Sequence, residues 1–586
     1  MSGQYVHYLG DDQMNIQKLK NKIKKDISYD IDISIQNNAL KLEGVVENWE
    51  QVIKAGKIAA MSDFDGVINN LKFINQEKEN FINTDLKDNK LNNKKYDVII
   101  IGAGIIGCSI ARELSKWNIK ILVIDKENDI AVHTSSRNDG MIHPGLSPKP
   151  GTKKAYYNVL GNKLYEKKSK ELNFEFKRTG SLIVFDKWHL KFISPFIKLR
   201  AKKNGVYLKY VDKKQINMIE PNIDKNLIGG FLIPSTGIIS PYKTTIAYAE
   251  NAVENGVDIS FETFLKDVYK ENNEVVYIET NRGRIFTKCL INCAGVHSDE
   301  VAEIVGDRFY TIHPRKGEII ILDKKTGNFI NSVVSKTDFN LKNNSKGGGI
   351  IKTVEENLLL GPNAYEQPYK EDYSTTSKGI NEIMNKHSSV LKQINKKDII
   401  TYFSGTRAST YKEDFIIKQS SKISNFIHVS GIQSPGIASA PSISEDVEKI
   451  TINILKSKTN INQNIKYNPN RKGYPILYLL EDKEKNRIIN KNPDFGKIVC
   501  RCEMISYGEI KSVIHSNIPA ITLDAIKRRT RVGMGRCQGG FCTPLLLKVI
   551  HEETGIEYEK ILKKGLGSNL IFKETKKFGD DFIERI

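Results

Sequence analysis

The chain has 586 residues, too many for one ordinary domain, so about two to four units are expected. Its apolar share of 39% and charged share of 27% are those of a soluble globular protein. The formal net charge of +20 is carried mainly by lysine and would help an anionic substrate or an acidic partner arrive. It does not point to nucleic acid, because no aromatic-plus-basic recognition module accompanies it. Asn and Ile are also abundant, so a compositional bias of the source would account for the charge as well. The first residues lack a charged-then-apolar leader pattern, and no apolar run reaches the length of a membrane span. A cytoplasmic protein is expected, with peripheral attachment to a membrane left open.

Residues 1–80 read as a small α+β domain. Ile16 to Lys25 has an amphipathic helical pattern. Ile31–Ile35 and Leu40–Val45 alternate as paired strands with Asn37-Asn38 at the turn, Trp49–Met61 reads as a helix, and Gly66–Phe73 as a last strand. Ala39-Leu-Lys-Leu-Glu-Gly-Val-Val-Glu-Asn48, then the helix, then Asp65-Gly-Val-Ile-Asn-Asn-Leu71, resembles a BON-type domain. That resemblance implies attachment to a membrane surface or a partner; an appended domain without a ligand is the alternative. The stretch from Gln76 to Lys95 is rich in Asn, Lys and Asp, and residues 81–95 are expected to be a linker.

Tyr96 to Gly107 is the most informative stretch. Val98–Ile101 is an unbroken β-branched run, the pattern of a strand buried on both faces. Gly102, Gly104 and Gly107 follow in Gly-x-Gly-x-x-Gly spacing. Ile105–Trp117 then reads as a helix, and Ile119–Asp125 as a second buried strand ending in an acid. Gly102 permits a tight turn, Gly104 lets backbone approach a pyrophosphate, and Gly107 lets helix pack on strand. The helix N-terminus offers free N–H groups to phosphates, and Asp125 is placed to accept from a ribose. A glycine-rich turn with no ligand is the alternative.

Farther on, Thr134-Ser-Ser-Arg-Asn-Asp-Gly-Met-Ile-His-Pro-Gly145 cannot build a core and suits a loop against a flat ligand. Its His143 has a neutral-range pKa and serves either in chemistry or as a structural hydrogen-bonder. Ser240-Pro241 starts a helix to Glu254. Val275–Thr280 and Arg284–Lys288 read as a hairpin, and Leu290-Ile-Asn-Cys-Ala-Gly295 as a strand ending in small residues. Phe426–Ile437 is a strand and a glycine-rich turn, leading to a helix ending near Leu455, whose dipole could stabilise negative charge on a reduced flavin.

The glycine triplet, the 135–145 segment, Asn292-Cys-Ala-Gly295 and Gly431-Ile-Gln-Ser-Pro-Gly436 together resemble the D-amino-acid-oxidase-like family of FAD oxidoreductases, over about residues 96–455. Ser147–Ala155, Arg178-Thr-Gly-Ser-Leu-Ile-Val184, Gly361-Pro-Asn-Ala364 and Gly405-Thr-Arg407 look closest to its glycerol-3-phosphate dehydrogenase and L-2-hydroxyglutarate oxidase branch. The resemblance implies an α/β fold, a Rossmann-like FAD domain of glutathione-reductase type, interleaved with an antiparallel-sheet substrate domain. It places Gly102, Gly104, Gly107, Asp125, Ser135, Ser136, Arg137, Gly140, Ala294, Gly295, Gly431, Ser434, Gly436 and Ile437 at the cofactor. It places Arg407 near the substrate, where it can pair with an anionic group; His143 is the first candidate for the base or for a hydrogen bond to the substrate hydroxyl, and Tyr242 and Arg315 are weaker substrate candidates, with ordinary packing or surface charge as the alternative. A surface ion pair is the alternative for Arg407.

Residues 456–496 read as a polar connector, 497–555 as a small, mostly helical cysteine unit and 556–586 as a tail. Of the seven cysteines, Cys108, Cys289 and Cys293 are expected to be buried apolar residues. Cys500, Cys502, Cys537 and Cys542 point to metal, and four thiolates suit zinc or a two-iron cluster. Arg501, Arg528, Arg529, Arg531 and Arg536 crowd the segment and would stabilise a net-negative centre. Cys500-Arg-Cys502 through Arg536-Cys-Gln-Gly-Gly-Phe-Cys542 resembles the BFD-type [2Fe–2S] domain, with all four ligand positions filled; structural zinc is the alternative. The combination implies oxidation of a secondary alcohol, with electrons leaving singly to another redox subunit, carrier or quinone system. Glycerol 3-phosphate is the first expected substrate and an L-2-hydroxy acid the second. A catalytically silent flavin-bound scaffold is the alternative outside enzymes.

Overall fold

The computed structural model describes residues 17–27, 29, 31–77, 86–336 and 348–573. The first residue of the expected N-terminal helix, residues 81–85 of the expected linker and the end of the tail lie outside them. Residues 17–27 are helical. Strands Asp32–Gln36 and Ala39–Val46 are antiparallel, and Gln36 faces Ala39. The turn between them holds Asn37 at φ 54° and Asn38 at φ 56°, the left-handed pair that a two-residue hairpin requires and that Asn tolerates. Helix Trp49–Ala59, capped by Asn48 accepting from the Gln51 N–H, carries the chain to Gly66–Phe73, parallel to Ala39–Val46.

This N-terminal unit is not held at a distance by a linker. Tyr411 of the main body enters its core beside Leu42 and Ile58, and the Tyr411 hydroxyl accepts from Asn69 Nδ2 at 2.8 Å. Its other face packs Ala39 and Ile68 against Phe309 and Ile312.

The main body interleaves two sheets. Lys94–Ile101 lies between parallel neighbours Ile121–Ile124 and Gly283–Asn292, and Phe426–Ser430 joins the latter, again parallel. Val98–Ile101, Ile121–Ile124, Cys289–Asn292 and Phe426–Ser430 are buried on both faces. The helix Ile105–Leu114 stops one turn short of the expected Trp117, whose indole turns to Glu448. The second sheet is nine-stranded and mostly antiparallel. Its longest pair, Ile312–Leu322 and Ile399–Thr410, sets Arg315 opposite Arg407 and Gly317 opposite Gly405.

The C-terminal unit packs helices Tyr507–Ile514, Leu523–Thr530 and Thr543–Thr554 around one core. Its docking onto the main body is ionic. Arg529 grips Asp129 with two parallel bonds of 2.8 and 3.0 Å, and Arg528 adds a third. Burial by itself would raise the Asp129 carboxyl, but the two guanidiniums outweigh it and lower it from 3.8 to about 2. The stability this pairing contributes is therefore whole above about pH 4 and is lost as the pH falls toward 2. Asp129→Ala strands a buried guanidinium and is expected to cost about 3–5 kcal/mol. Urea denaturation, with limited proteolysis to follow release of the C-terminal unit, measures it; unchanged docking would count against the grip.

Candidate active site and cysteine centre

The glycine triplet folds as its spacing requires. Gly102 sits at φ +109°, and a Cβ there would meet the Cys293 carbonyl oxygen at 2.5 Å. A Cβ on Gly107 would lie 1.9 Å from the Gly102 carbonyl oxygen, so only glycine lets this helix lie on its strand. Gly107→Ala is expected to cost about 3 kcal/mol or more and to lower the flavin-to-protein ratio, read by absorbance of the purified protein. Gly104 differs, because its absent side chain faces only Ser135 Oγ, at 3.1 Å, and the cavity beyond. The N-cap residue, Gly104, offers no side chain to the helix that follows, and Ser135 Oγ, from a separate loop, accepts from the Ile105 N–H at 2.9 Å. Asp125 has both oxygens on the turn, accepting from the Ala103 N–H at 2.6 Å and the Glu127 N–H at 2.9 Å, and burial raises its pKa.

A cavity of about 1060 Å³, counting its open mouth, has Gly104 in its lining. Ser135, Arg137, His143, Gly295, Arg407, Ser434, Gly436 and Ile437 line it. Gly102, Gly107, Asp125, Ser136, Gly140, Ala294 and Gly431 do not. They shape the wall from behind, as when Ser136 bonds the His133 carbonyl of its own loop. Gly140, at φ +66°, leaves no room for a Cβ against the Ile239 carbonyl, 2.4 Å away. Helix Gly436–Lys456 brings a second N-terminus without a side-chain cap to the cavity. Two such helix ends and a bare Gly104 fit an extended dinucleotide with a pyrophosphate.

His143 is held by its backbone. Its carbonyl oxygen accepts from Asn158 Nδ2 at 2.6 Å and Asn162 Nδ2 at 3.0 Å, both on helix Lys153–Leu172, and its Nε2 lies 3.5 Å from Ser434 Oγ. Arg407 donates to the carbonyls of Lys316 and Asn363, each at 3.2 Å. Among the described residues no carboxylate lies within 4 Å of it. Burial pushes its guanidinium down to about 10, a cost that an anion beside it would relieve. Gly317 and Gly405 make the room: a Cβ on Gly317 would strike Arg407 Nη2 at 2.6 Å, and one on Gly405 the Arg137 carbonyl at 2.1 Å. Asp139, the acid whose charge most favours Arg407, and Gln433 also line the cavity. The polar loops that carry both are visible in the sequence, but nothing there singles out these two side chains.

Two candidates are not brought to this cavity. Arg315 is clamped by Glu366, at 2.9 Å, and Glu413, so its charge is already neutralised; it reaches the cavity only through Gln433 Oε1, at 3.4 Å. Tyr242 is half-buried at the seam with the C-terminal unit. Its hydroxyl lies 3.4 Å from Met534 Sδ and accepts from Arg531 Nη1 at 3.3 Å, and burial pushes it up to about 12.

The four C-terminal cysteines meet in pairs. Cys502 Sγ and Cys537 Sγ are 3.6 Å apart, and Cys542 contacts Cys500. Cys500 and Cys542 are buried, whereas Cys502 is exposed. Backbone N–H groups of Phe541, then Gly539 and Gly540, point at Cys537 and lower its pKa, the nest that an anionic thiolate centre needs. Donor set and nest fit an iron–sulfur cluster. Four of the five arginines of this segment have polar partners. Arg528 and Arg529 hold Asp129, Arg531 holds Glu503 at 2.8 Å and Asn357 at 3.1 Å, and Arg536 holds Asp323 at 2.9 Å. They are docking residues.

Residues 97–449 match the DAO family, described as FAD dependent oxidoreductase, and residues 498–552 match the BFD-like [2Fe-2S] binding domain. A glycerol 3-phosphate dehydrogenase of Caloramator mitchellensis is 41% identical over 483 residues, covering 82% of this chain and 99% of that protein. A glycerol 3-phosphate oxidase of Mycoplasma genitalium is 30% identical, covering 64% of this chain and 98% of its own. The solved structure of the FAD-bound, dithionite-reduced L-alpha-glycerophosphate oxidase of Mycoplasma pneumoniae is 24% identical. It superposes with a TM-score of 0.60 over 64% of this chain and 98% of that one, a likeness of fold. Turn, cavity and paired cysteines thus agree with these matches: the chain belongs to the DAO family of FAD-dependent oxidoreductases and carries a BFD-like [2Fe–2S] domain at its C-terminal end.

Proposed function

We propose that this enzyme oxidises sn-glycerol 3-phosphate to dihydroxyacetone phosphate and delivers the electrons to an acceptor other than NAD. The observation that carries the reading is Arg407, a guanidinium inside the flavin cavity with no carboxylate partner among the described residues. A fork of N–H donors suits the oxygens of a phosphate. FAD, when bound, supplies the acceptor for the carbon-bound hydride. Arg407 holds the anionic end of the substrate. His143, steadied from behind by Asn158 and Asn162, takes the hydroxyl proton. The named relatives support the same substrate.

Electrons leave the molecule at the exposed edge of the cysteine centre. Cys502 is exposed there, together with Met504, Phe541 and Leu545. An apolar lip of this kind fits a second redox protein, carrier or quinone-linked acceptor. The N-terminal unit, with its BON-like order of elements, braces the substrate sheet through Asn69 and Tyr411.

Anaerobic bleaching of the flavin with a panel of phosphorylated polyols and L-2-hydroxy acids tests the substrate. Glycerol 3-phosphate is expected to bleach it fastest. Preference for 2-hydroxyglutarate would replace this reading, and a flavin that stays oxidised with every member would remove it.

A further inference from the structure

The surface between Asp186 and Asp212 is unlike the rest of the molecule. Helix Ser194–Lys203 and the turn Trp188–Lys191 before it are amphipathic on the inside: Leu190, Ile193, Ile197 and Ala201 pack inward at helical spacing. A second apolar stripe, Trp188, Phe192, Phe196 and Leu199, recurs at the same spacing and is left exposed by the described residues. Trp188 and Phe192 are each 68% exposed and Phe196 is 74% exposed. The Trp188 and Phe192 rings meet edge to face at 5.7 Å, so these side chains form one patch.

The charge around this patch is one-sided. Seven Lys and Arg residues, from Lys187 to Lys209, and no acid lie between Asp186 and Asp212. Lys191, Lys198, Lys202 and Lys203 are exposed beside the aromatic stripe. We infer that this face docks on an anionic lipid surface, the stripe entering the headgroup layer and the lysines meeting lipid phosphates. Aromatic and aliphatic side chains flanked by lysine are the composition of interfacial helices. A second copy of the chain would bring the same seven cations against one another.

The face is joined to the active-site loop. Arg200 Nε donates to the Leu146 carbonyl at 3.1 Å, and Asn204 Nδ2 donates to the Gly145 and Pro148 carbonyls at 2.8 and 3.0 Å. These residues directly follow His143. The inference goes beyond the proposed reaction and stands whichever alcohol is oxidised.

The test uses the full-length protein with flavin and cluster bound, sedimented with vesicles of phosphatidylglycerol mixed with phosphatidylcholine, and with phosphatidylcholine alone. Binding to the anionic vesicles, weaker binding to the neutral ones and release by salt are expected. The paired variants Phe192→Ser with Phe196→Ser, and Lys191→Glu with Lys198→Glu, should each weaken binding about tenfold or more. Lys198→Arg should keep it. A blue shift of tryptophan emission on binding should vanish in Trp188→Phe, because only Trp49 and Trp117 remain. Solution turnover with an artificial acceptor should be the same in all these variants, which separates this result from failure of the proposed reaction. No binding, binding indifferent to the variants, or a dimer in solution that the aromatic variants dissociate would each overturn the inference.

Discussion

Arg407→Ala is expected to lower kcat/KM for glycerol 3-phosphate by roughly 10- to 150-fold, the equivalent of about 1.5–3 kcal/mol for losing hydrogen bonds to a charged group. The effect follows from placement. Arg407 stands on a strand whose register puts Gly317 opposite Gly405, and those two bare positions leave space for the guanidinium and for the loop of Arg137. Among the described residues its own bonds go to carbonyls, so its charge is left for a ligand. Arg407→Lys should recover part of the loss, because a point charge attracts a phosphate without matching two of its oxygens. Flavin content should not change, because the groups nearest the glycine turn are untouched. Steady-state turnover with an artificial acceptor, beside the visible spectrum of each variant, makes the comparison. An unchanged kcat/KM would take Arg407 out of the substrate site.

Cys537→Ser should have an equally large effect of another kind. Reduction of the flavin by substrate, followed anaerobically in a stopped-flow instrument, is expected to proceed at the parental rate. Delivery of electrons to the natural acceptor should fall to background, and the broad iron–sulfur absorbance should disappear with it. Cys537 is suited to this test because three backbone N–H groups converge on its sulfur. A serine oxygen would occupy the same nest as a harder, less polarisable ligand. Undiminished delivery would take the cluster off the electron path.

Much of this architecture is local and was therefore legible. The Asn37-Asn38 turn, the strand–glycine–helix unit after Tyr96 and the helix start at Gly436 each depend on residues within a dozen positions. Of the cavity lining, Gly104 and Gly436 lie in those same segments, and His143 in the loop from Thr134 to Gly145. Tyr242, Arg315 and the C-terminal arginines were less legible, because long-range partners decide their roles. Arg315 looks free in sequence until Glu366 and Glu413 close on it, and nothing near Arg529 announces Asp129, four hundred positions earlier. The early stop of the first nucleotide helix is of the same kind, since the indole of Trp117 is drawn to Glu448 on a distant helix.

The loop from Asp125 to Asp129 is held at both ends. At one end Asp125 secures the backbone on which the dinucleotide lies, and at the other Asp129 is the anchor for the C-terminal unit. Any linkage between two events on so short a tether is reciprocal. Whatever factor cofactor loading adds to the affinity between the two units, their association must add to cofactor retention.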